Sequence, residues 1–281
     1  MKLKHKAIIA GCLGGASALY CMAPNKDQTR DKRLRPFEDH YIAHRGLFDN
    51  NTDRPENSKK AFLSAIEMGF GIELDVRLTK DGLPVVFHDD DLYRVCGIHK
   101  TVSESNYSEL LKYRLFSSDE IIPLFEDVLR LVDGKVPLVI EIKAEYDVAE
   151  ICEKVMKLLY CYPGHYCIES FSPFVLKWFK DNEPFVLRGQ LSMDFFDESK
   201  QISKPWFVKF TAKNLMGNVF SRPDFVSYEL NGTKSVPMHV HRDIYHGKSA
   251  VWTIRNQKDF DYAKKYFDII LFDGFIPDEK R

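Results

Sequence analysis

The chain has 281 residues, 40 Lys+Arg against 41 Asp+Glu, and 44% hydrophobic residues. These are the proportions of a globular protein with one large core, which excludes disordered, collagen-like and low-complexity classes. A formal net charge of -1 supplies no global positive field, so nucleic-acid binding has no electrostatic support and any anion must be gripped locally.

Residues 7–23 carry no charge, with Lys2, Lys4 and Lys6 before them and Lys26, Arg30, Lys32, Arg33 and Arg35 after. As a helix this run reaches about 25 Å, just short of a hydrocarbon thickness of about 30 Å. An uncleaved membrane anchor, a cleaved secretory signal and a helix lying on the membrane all fit. The anchor is preferred because Tyr20, Cys21 and Met22 make no small-residue cleavage site. The expected location is therefore membrane-anchored or secreted rather than cytoplasmic, and basic residues on both flanks leave the orientation open. The polar stretch Pro24 to Glu38 reads as a solvated linker, so that 1–38 is anchor plus linker and 39–281 the folded domain.

From Tyr41 onward, short apolar runs alternate with segments whose apolar residues recur at three and four, the pattern of βα units around a parallel sheet. Eight strands are predicted to begin near Tyr41, Ile72, Leu138, Tyr166, Phe185, Phe225, Ala250 and Ile269. Helices are predicted over Ser58 to Met68, Leu124 to Val132, Asp147 to Leu159, Pro173 to Lys180 and Gln257 to Tyr266. Eight strands in about 240 residues fit a closed (β/α)8 barrel, the TIM-barrel class of α/β folds; a doubly wound open sheet is the alternative. One connection is too long for a βα loop: residues 89–120 are polar and turn-rich, and their place after the second strand puts a small insertion over the barrel mouth. The six cysteines (Cys12, Cys21, Cys96, Cys152, Cys161, Cys167) form neither a CxxC pair nor a Cys/His zinc pattern, and core or surface thiols are the simplest reading.

Barrel strands should read as Val, Ile and Leu, so ionisable residues inside them need a reason. Glu73 and Asp75 stand at i and i+2 and point to the same side, as do Glu141 and Lys143 on the next strand. Carboxylates converging on a barrel mouth repel unless something positive sits between them, and a hard divalent cation, Mg2+ or Ca2+, suits oxygen ligands. Structural ion pairing with Lys143 and Arg45 is the competing reading. His44, Arg45 and Gly46 end the first strand, where the arginine can take a phosphate in bidentate fashion. Asp81-Gly82 is a hairpin signal; if these two residues are the turn, Lys80 faces Leu83 and Asp75 lies opposite His88, about 5 Å apart at Cβ. Asp89 would then orient the His88 ring. Two histidines, clustered carboxylates and an arginine fit phosphate-ester hydrolysis, and the absence of Walker A, GxSxG and GxGxxG motifs argues against nucleotide hydrolysis, serine acyl transfer and dinucleotide redox chemistry.

Ala43-His44-Arg45-Gly46, Pro55-Glu56-Asn57-Ser58, the run from Glu73 to Gly82, Val85 to Asp89, Ile122-Pro123-Leu124 and Ile140 to Lys143 together resemble the glycerophosphodiester phosphodiesterase family, over about Asp39 to Pro277. That resemblance implies a (β/α)8 barrel whose insertion after the second strand is the family's small subdomain. It also implies hydrolysis of glycerophosphodiesters such as glycerophosphocholine to sn-glycerol 3-phosphate and an alcohol. By the same match His44 and His88 are the acid/base pair, Glu73, Asp75 and Glu141 hold Mg2+ or Ca2+, Arg45 and Lys143 contact phosphate, and Trp252 packs on the glycerol moiety. The C-terminal part departs from the family pattern at Phe272-Asp273-Gly274 and in an inserted Arg255 after Trp252-Thr253-Ile254. Arg188, Gln190 and Glu169 are further candidates for substrate contact. A lysophospholipase D or sphingomyelinase D-like activity, and a non-catalytic membrane-tethered binding module, are the competing functions.

Overall fold

The computed structural model describes residues 15–27, 29–143, 147–200 and 202–279. Its strands are β1 (Ile42–Ala43), β2 (Gly71–Leu78), β3 (Pro84–Val86), β4 (Leu138–Ile142), β5 (Tyr166–Ser170), β6 (Leu187–Ser192), β7 (Phe225–Glu229), β8 (Lys248–Ile254) and β9 (Ile269–Phe272). All but β3 are parallel and follow the order β1-β9-β8-β7-β6-β5-β4-β2, and pairing of β1 with β2 closes the ring. The result is a (β/α)8 barrel, with β3 added antiparallel to the outer end of β2. The fifth barrel strand begins at Leu187 rather than Phe185, whose ring is exposed.

The principal helices are α1 (Arg30–Glu38), α2 (Lys59–Met68), α3 (Phe125–Val132), α4 (Val148–Leu159), α5 (Pro173–Asn182), α6 (Trp206–Lys213) and α7 (Gln257–Tyr266). Local chemistry starts several of them: Ser58 Oγ caps α2 through Ala61 N–H, Asp147 caps α4 through the N–H groups of Ala149 and Glu150, and Asn256 caps α7 through Asp259 N–H. Strand period then sorts side chains between two layers. Ile72, Leu74, Val76, Leu138, Ile140 and Ile142 face the helices in the main core. Ile42, Val139, Cys167, Leu187, Phe225, Ala250, Ile269 and Leu271 fill the lower barrel interior.

The lower interior is closed by the segment expected to be a linker. Far from being a solvated strap, residues 30–38 form α1, and its Leu34 and Phe37 are fully buried among those interior side chains. A parallel barrel leaves an apolar opening at its N-terminal end, and burying these two residues removes it from water. Phe37→Ala is expected to cost about 3–5 kcal/mol of unfolding free energy, the range for a buried Phe. Loss of less than about 1 kcal/mol in chemical denaturation would return this segment to the status of a linker.

Of the apolar run 7–23, residues 7–14 lie outside the described residues. Residues 15–22 are helical, and Tyr245 Oη, Arg222 Nη1 and Asn218 Nδ2 donate to the carbonyls of Leu19, Tyr20 and Met22. No helix among the described residues is long and apolar enough to cross a membrane. Five cysteines are described and all are free.

The insertion packs against the β3 arm around a small core of Val85, Phe87, Leu92, Val95, Val102, Leu110, Leu115 and Ile122. The hairpin that carries it is closed differently from the expected two-residue turn. Val76 pairs with Val86, Arg77 with Val85 and Leu78 with Pro84, so Asp75 faces Phe87, not His88, and Phe87 N–H donates to Asp75 O at 2.9 Å. Thr79 causes the shift: its Oγ1 accepts from Leu83 N–H at 2.9 Å, which makes Lys80-Asp81-Gly82 a three-residue loop with Gly82 in the left-handed region. A one-residue slip changes which face each side chain takes.

Buried His241, just before β8, sets part of the acid stability. Burial lowers its pKa from the ordinary 6.5 to about 4, although its Nε2 bonds Lys248 O at 2.8 Å. Unfolding therefore takes up a proton between these values, so the stabilisation is complete above pH 6.5 and is lost as pH falls towards 4, by about 3 kcal/mol in all. Denaturation of His241→Gln should show a shallower loss between pH 7 and 4 than the unaltered chain; equal slopes would dismiss the assignment.

Candidate active site

The inward rows that fill the lower barrel continue upward as polar residues. On β2 the row reads Glu73, Asp75, Arg77; on β4 it runs Val139, Glu141 and on to Lys143; on β5 it is Cys167, Glu169. Parallel register sets Asp75 beside Glu141 and Glu141 beside Glu169. His44 follows β1, and His44 N–H is tied to Phe272 O at 2.9 Å. His44, Arg45, Glu73, His88, Glu141, Lys143 and Trp252 thus line one cavity of about 360 Å³, with Phe171 and Met193 on its apolar side. Asp75 lies fully buried beneath them.

His88 reaches this cavity despite the corrected hairpin register. Strand β3 stops at Val86, the chain turns, and the Arg77 guanidinium donates to His88 O at 3.0 and 2.7 Å. Both histidines present the same tautomer. Nδ1–H of His44 donates to Asp273 Oδ2 at 3.0 Å and Nδ1–H of His88 to Asp89 Oδ1 at 2.6 Å, since a carboxylate only accepts. Each Nε2 is left to exchange a proton. Burial lowers the pKa of both rings below 6.5 against the opposing pull of Asp273 and Asp75, so both are largely neutral in the free site.

Those carboxylates are braced in turn. Arg255 Nε donates to Asp273 Oδ1 at 2.8 Å, which accounts for the arginine inserted after Ile254. Arg94, from the insertion, donates to Asp89 at 2.6 Å and to both oxygens of Glu56 at 2.6 and 2.9 Å. Despite burial, Arg94 and Arg45 hold Glu56 down at about 2. The same Glu56 takes Arg45 Nη1 at 2.7 Å, while Asn57 Nδ2 donates to Asp75 Oδ2 at 2.8 Å. The Pro-Glu-Asn-Ser run therefore braces the arginine, orients one carboxylate and caps α2. Asp273, Arg94 and these roles of Glu56 and Asn57 were invisible in the sequence, because each acts on a residue fixed only by folding.

Glu73, Asp75 and Glu141 bring ligand oxygens within 4.8 Å of one another, all buried. Burial, with Asp75 and Glu141 adjacent, raises Glu73 well above the ordinary carboxyl range. Asp75 is driven well below it: burial opposes, but Lys143, His88 and Arg45 outweigh burial. Lys143 Nζ pairs with Asp75 Oδ1 at 3.0 Å and Glu141 Oε1 at 2.6 Å. Buried, close-set oxygen donors with unlike proton affinities are the donor set a hard divalent cation fits. Glu169, also in the cavity, is raised to about 8 by burial and by Glu141. Arg188 and Gln190 do not belong to the site: Arg188 pairs with Asp224 and the carbonyls of Pro184 and Val186, and Gln190 donates to Ser170 O and Phe171 O. Gly189 between them is required, because a Cβ there would lie 2.4 Å from the Phe225 ring and 2.9 Å from Glu169 Cγ.

Neutral, carboxylate-oriented histidines beside an acidic cluster and two fixed cations suit proton transfer to and from a phosphoric ester held at the barrel mouth. The family model described as the glycerophosphoryl diester phosphodiesterase family matches residues 44–279. The chain belongs to that family, whose members are phosphoric diester hydrolases. It is 32% identical over 192 residues to a glycerophosphodiester phosphodiesterase of Bacillus altitudinis, covering 63% of this chain and 76% of that one. It is also 31% identical over 141 residues to the human lysophospholipase D GDPD1, covering 46% and 43%. Among solved structures, an Oleispira antarctica phosphodiesterase in complex with the product sn-glycerol-3-phosphate shares the fold at a TM-score of 0.67 and 21% identity, over 84% of this chain and 92% of that one.

Proposed function

We propose that the barrel hydrolyses glycerophosphodiesters to sn-glycerol 3-phosphate and an alcohol, with His44 and His88 as the acid/base pair and Glu73, Asp75 and Glu141 as the ligands of Mg2+ or Ca2+. The observation that carries this reading is that both histidines line one cavity with Glu73 and Glu141, with Asp75 buried beneath it and its ligand oxygen within 4.8 Å of theirs. The bond from phosphorus to the alcohol oxygen breaks and a bond to the attacking oxygen forms. One histidine accepts the proton of the attacking group, and the other delivers a proton to the departing alcohol. A bound phosphodiester anion raises the proton affinity of both rings, which readies one as the acid. Arg45, braced by Glu56, and Lys143 hold the phosphoryl oxygens. When bound, the divalent cation supplies charge neutralisation at the same oxygens.

Trp252 forms one wall of the cavity, where its indole can lie against the glycerol moiety, with Nε1–H fixed on Ser227 O at 3.2 Å. The deciding assay is a panel of glycerophosphocholine, glycerophosphoethanolamine and lysophosphatidylcholine with metal titration. Release of sn-glycerol 3-phosphate from the first two is expected, and failure on all glycerophosphodiesters at every metal concentration would refute the proposal. The lysophospholipase D reading gains weight from the apolar side of the cavity, formed by Phe171, Met193 and Trp252; it predicts faster turnover of lysophosphatidylcholine than of glycerophosphocholine.

A further inference from the structure

Helix α6 differs from the other long shell helices. A helix around a barrel ordinarily buries an apolar stripe against the sheet, but none of the eight residues of α6 is buried. Trp206, Phe207 and Phe210 are 66%, 64% and 40% exposed. Trp206 stacks on Phe210 at 5.1 Å between ring centroids, and exposed Phe196 joins them at 6.4 Å from Trp206. From the neighbouring Phe195 the aromatic surface runs into the catalytic cavity, to Phe171 at 6.1 Å and on to Trp252 at 5.8 Å.

Charge accompanies this surface. Residues 199–223 contain Lys200, Lys204, Lys209, Lys213 and Arg222 and no Asp or Glu, in a chain whose net charge is -1. Lys200 and Lys213 are paired, with Glu229 and Asp194. Lys204 and Lys209 have no carboxylate within ion-pair distance among the described residues. Arg222, later in this basic stretch, lies over the Tyr20 ring at 4.5 Å and donates to Tyr20 O and Ala23 O.

We propose that this face, centred on α6, is a lipid-docking surface: Trp206, Phe207 and Phe210 enter the interfacial region of a bilayer while Lys204 and Lys209 meet anionic headgroups. Exposed Trp and Phe beside unpaired lysines suit the boundary between headgroups and acyl chains, and aromatic burial and charge attraction add. The aromatic path then joins the cavity mouth to the membrane surface. The inference rests on α6 and its charges, independently of the chemistry assigned to the cavity.

The test uses the full chain with vesicles of phosphatidylcholine, with and without phosphatidylserine, some bearing brominated acyl chains. With phosphatidylserine present, tryptophan emission should shift to the blue and be quenched by bromine, and Trp206→Phe should remove most of that quenching. Phe207→Ala with Phe210→Ala should weaken vesicle partitioning about tenfold or more, while turnover of soluble glycerophosphocholine stays unchanged. Quenching that survives Trp206→Phe would overturn the proposal by assigning contact to another part of the chain. Equal binding with and without phosphatidylserine would remove the anionic headgroup from it. Lipid-independent self-association that is lost in the double variant, with no quenching, would show a second copy to be the occupant instead. Absence of glycerophosphocholine turnover in the unaltered chain would count against the chemistry and leave the docking result intact.

Discussion

Replacing His44 or His88 by Gln should lower kcat by about 10²–10⁴-fold, the range for losing a positioned general acid or base, with thermal unfolding little changed. The fold should survive because both rings sit at the cavity wall and their partners keep a second ion. Without His44, Asp273 retains Arg255; without His88, Asp89 retains Arg94. No carboxylate is left buried and unpaired, which is what makes removal of one partner costly elsewhere. The pH profile of the unaltered enzyme carries the same signature. Burial lowers both histidines below 6.5, so the form that accepts a proton is lost only as pH falls below that value, and the acidic limb of kcat/KM should lie below 6.5. Turnover within a factor of a few of the unaltered enzyme in either variant would reject the assignment.

Chelation should abolish turnover, and Mg2+ or Ca2+ should restore it. A second readout follows from proton affinity alone. Glu73, raised by burial and by its two carboxylate neighbours, must give up its proton to serve as a ligand, so cation affinity should fall as pH falls. Cation binding to the folded chain alone stabilises it, by about 2.7 kcal/mol at a hundredfold excess over Kd. Glu141→Gln should reduce that stabilisation and raise the cation concentration needed for activity by tenfold or more. Activity indifferent to chelation, together with an unfolding midpoint indifferent to added cation, would remove Glu73, Asp75 and Glu141 from this role.

Much of the barrel was readable because its information is periodic. Alternation along Ile72 to Arg77 and Leu138 to Lys143 assigns one face to the helices and one to the interior, and a closed parallel ring turns every inward face toward one axis. Helix starts at Ser58 and Asp147 were readable because capping acts over three residues. Segment 30–38 misled because Leu34 and Phe37 stand among charges and beside Pro36, with no periodic stripe to mark them. The hairpin misled by one residue because Thr79 Oγ1 closes the loop, a competition between hydroxyl and backbone that the Asp-Gly signal does not encode. His88 still arrives at the cavity, placed by Arg77 rather than by strand pairing.

The βα repeat, the inward placement of Glu73, Asp75, Glu141 and Lys143, and His44 at the end of the first strand were all readable from the chain alone, since these depend on spacing within a strand. What completes the site comes from contacts between distant parts of the chain. Asp273 meets His44 across 229 positions, Arg94 meets Glu56 across 38, and Leu34 and Phe37 meet the barrel floor. Ion pairing and apolar burial depend on distance in space, so only closure of the ring made these contacts available.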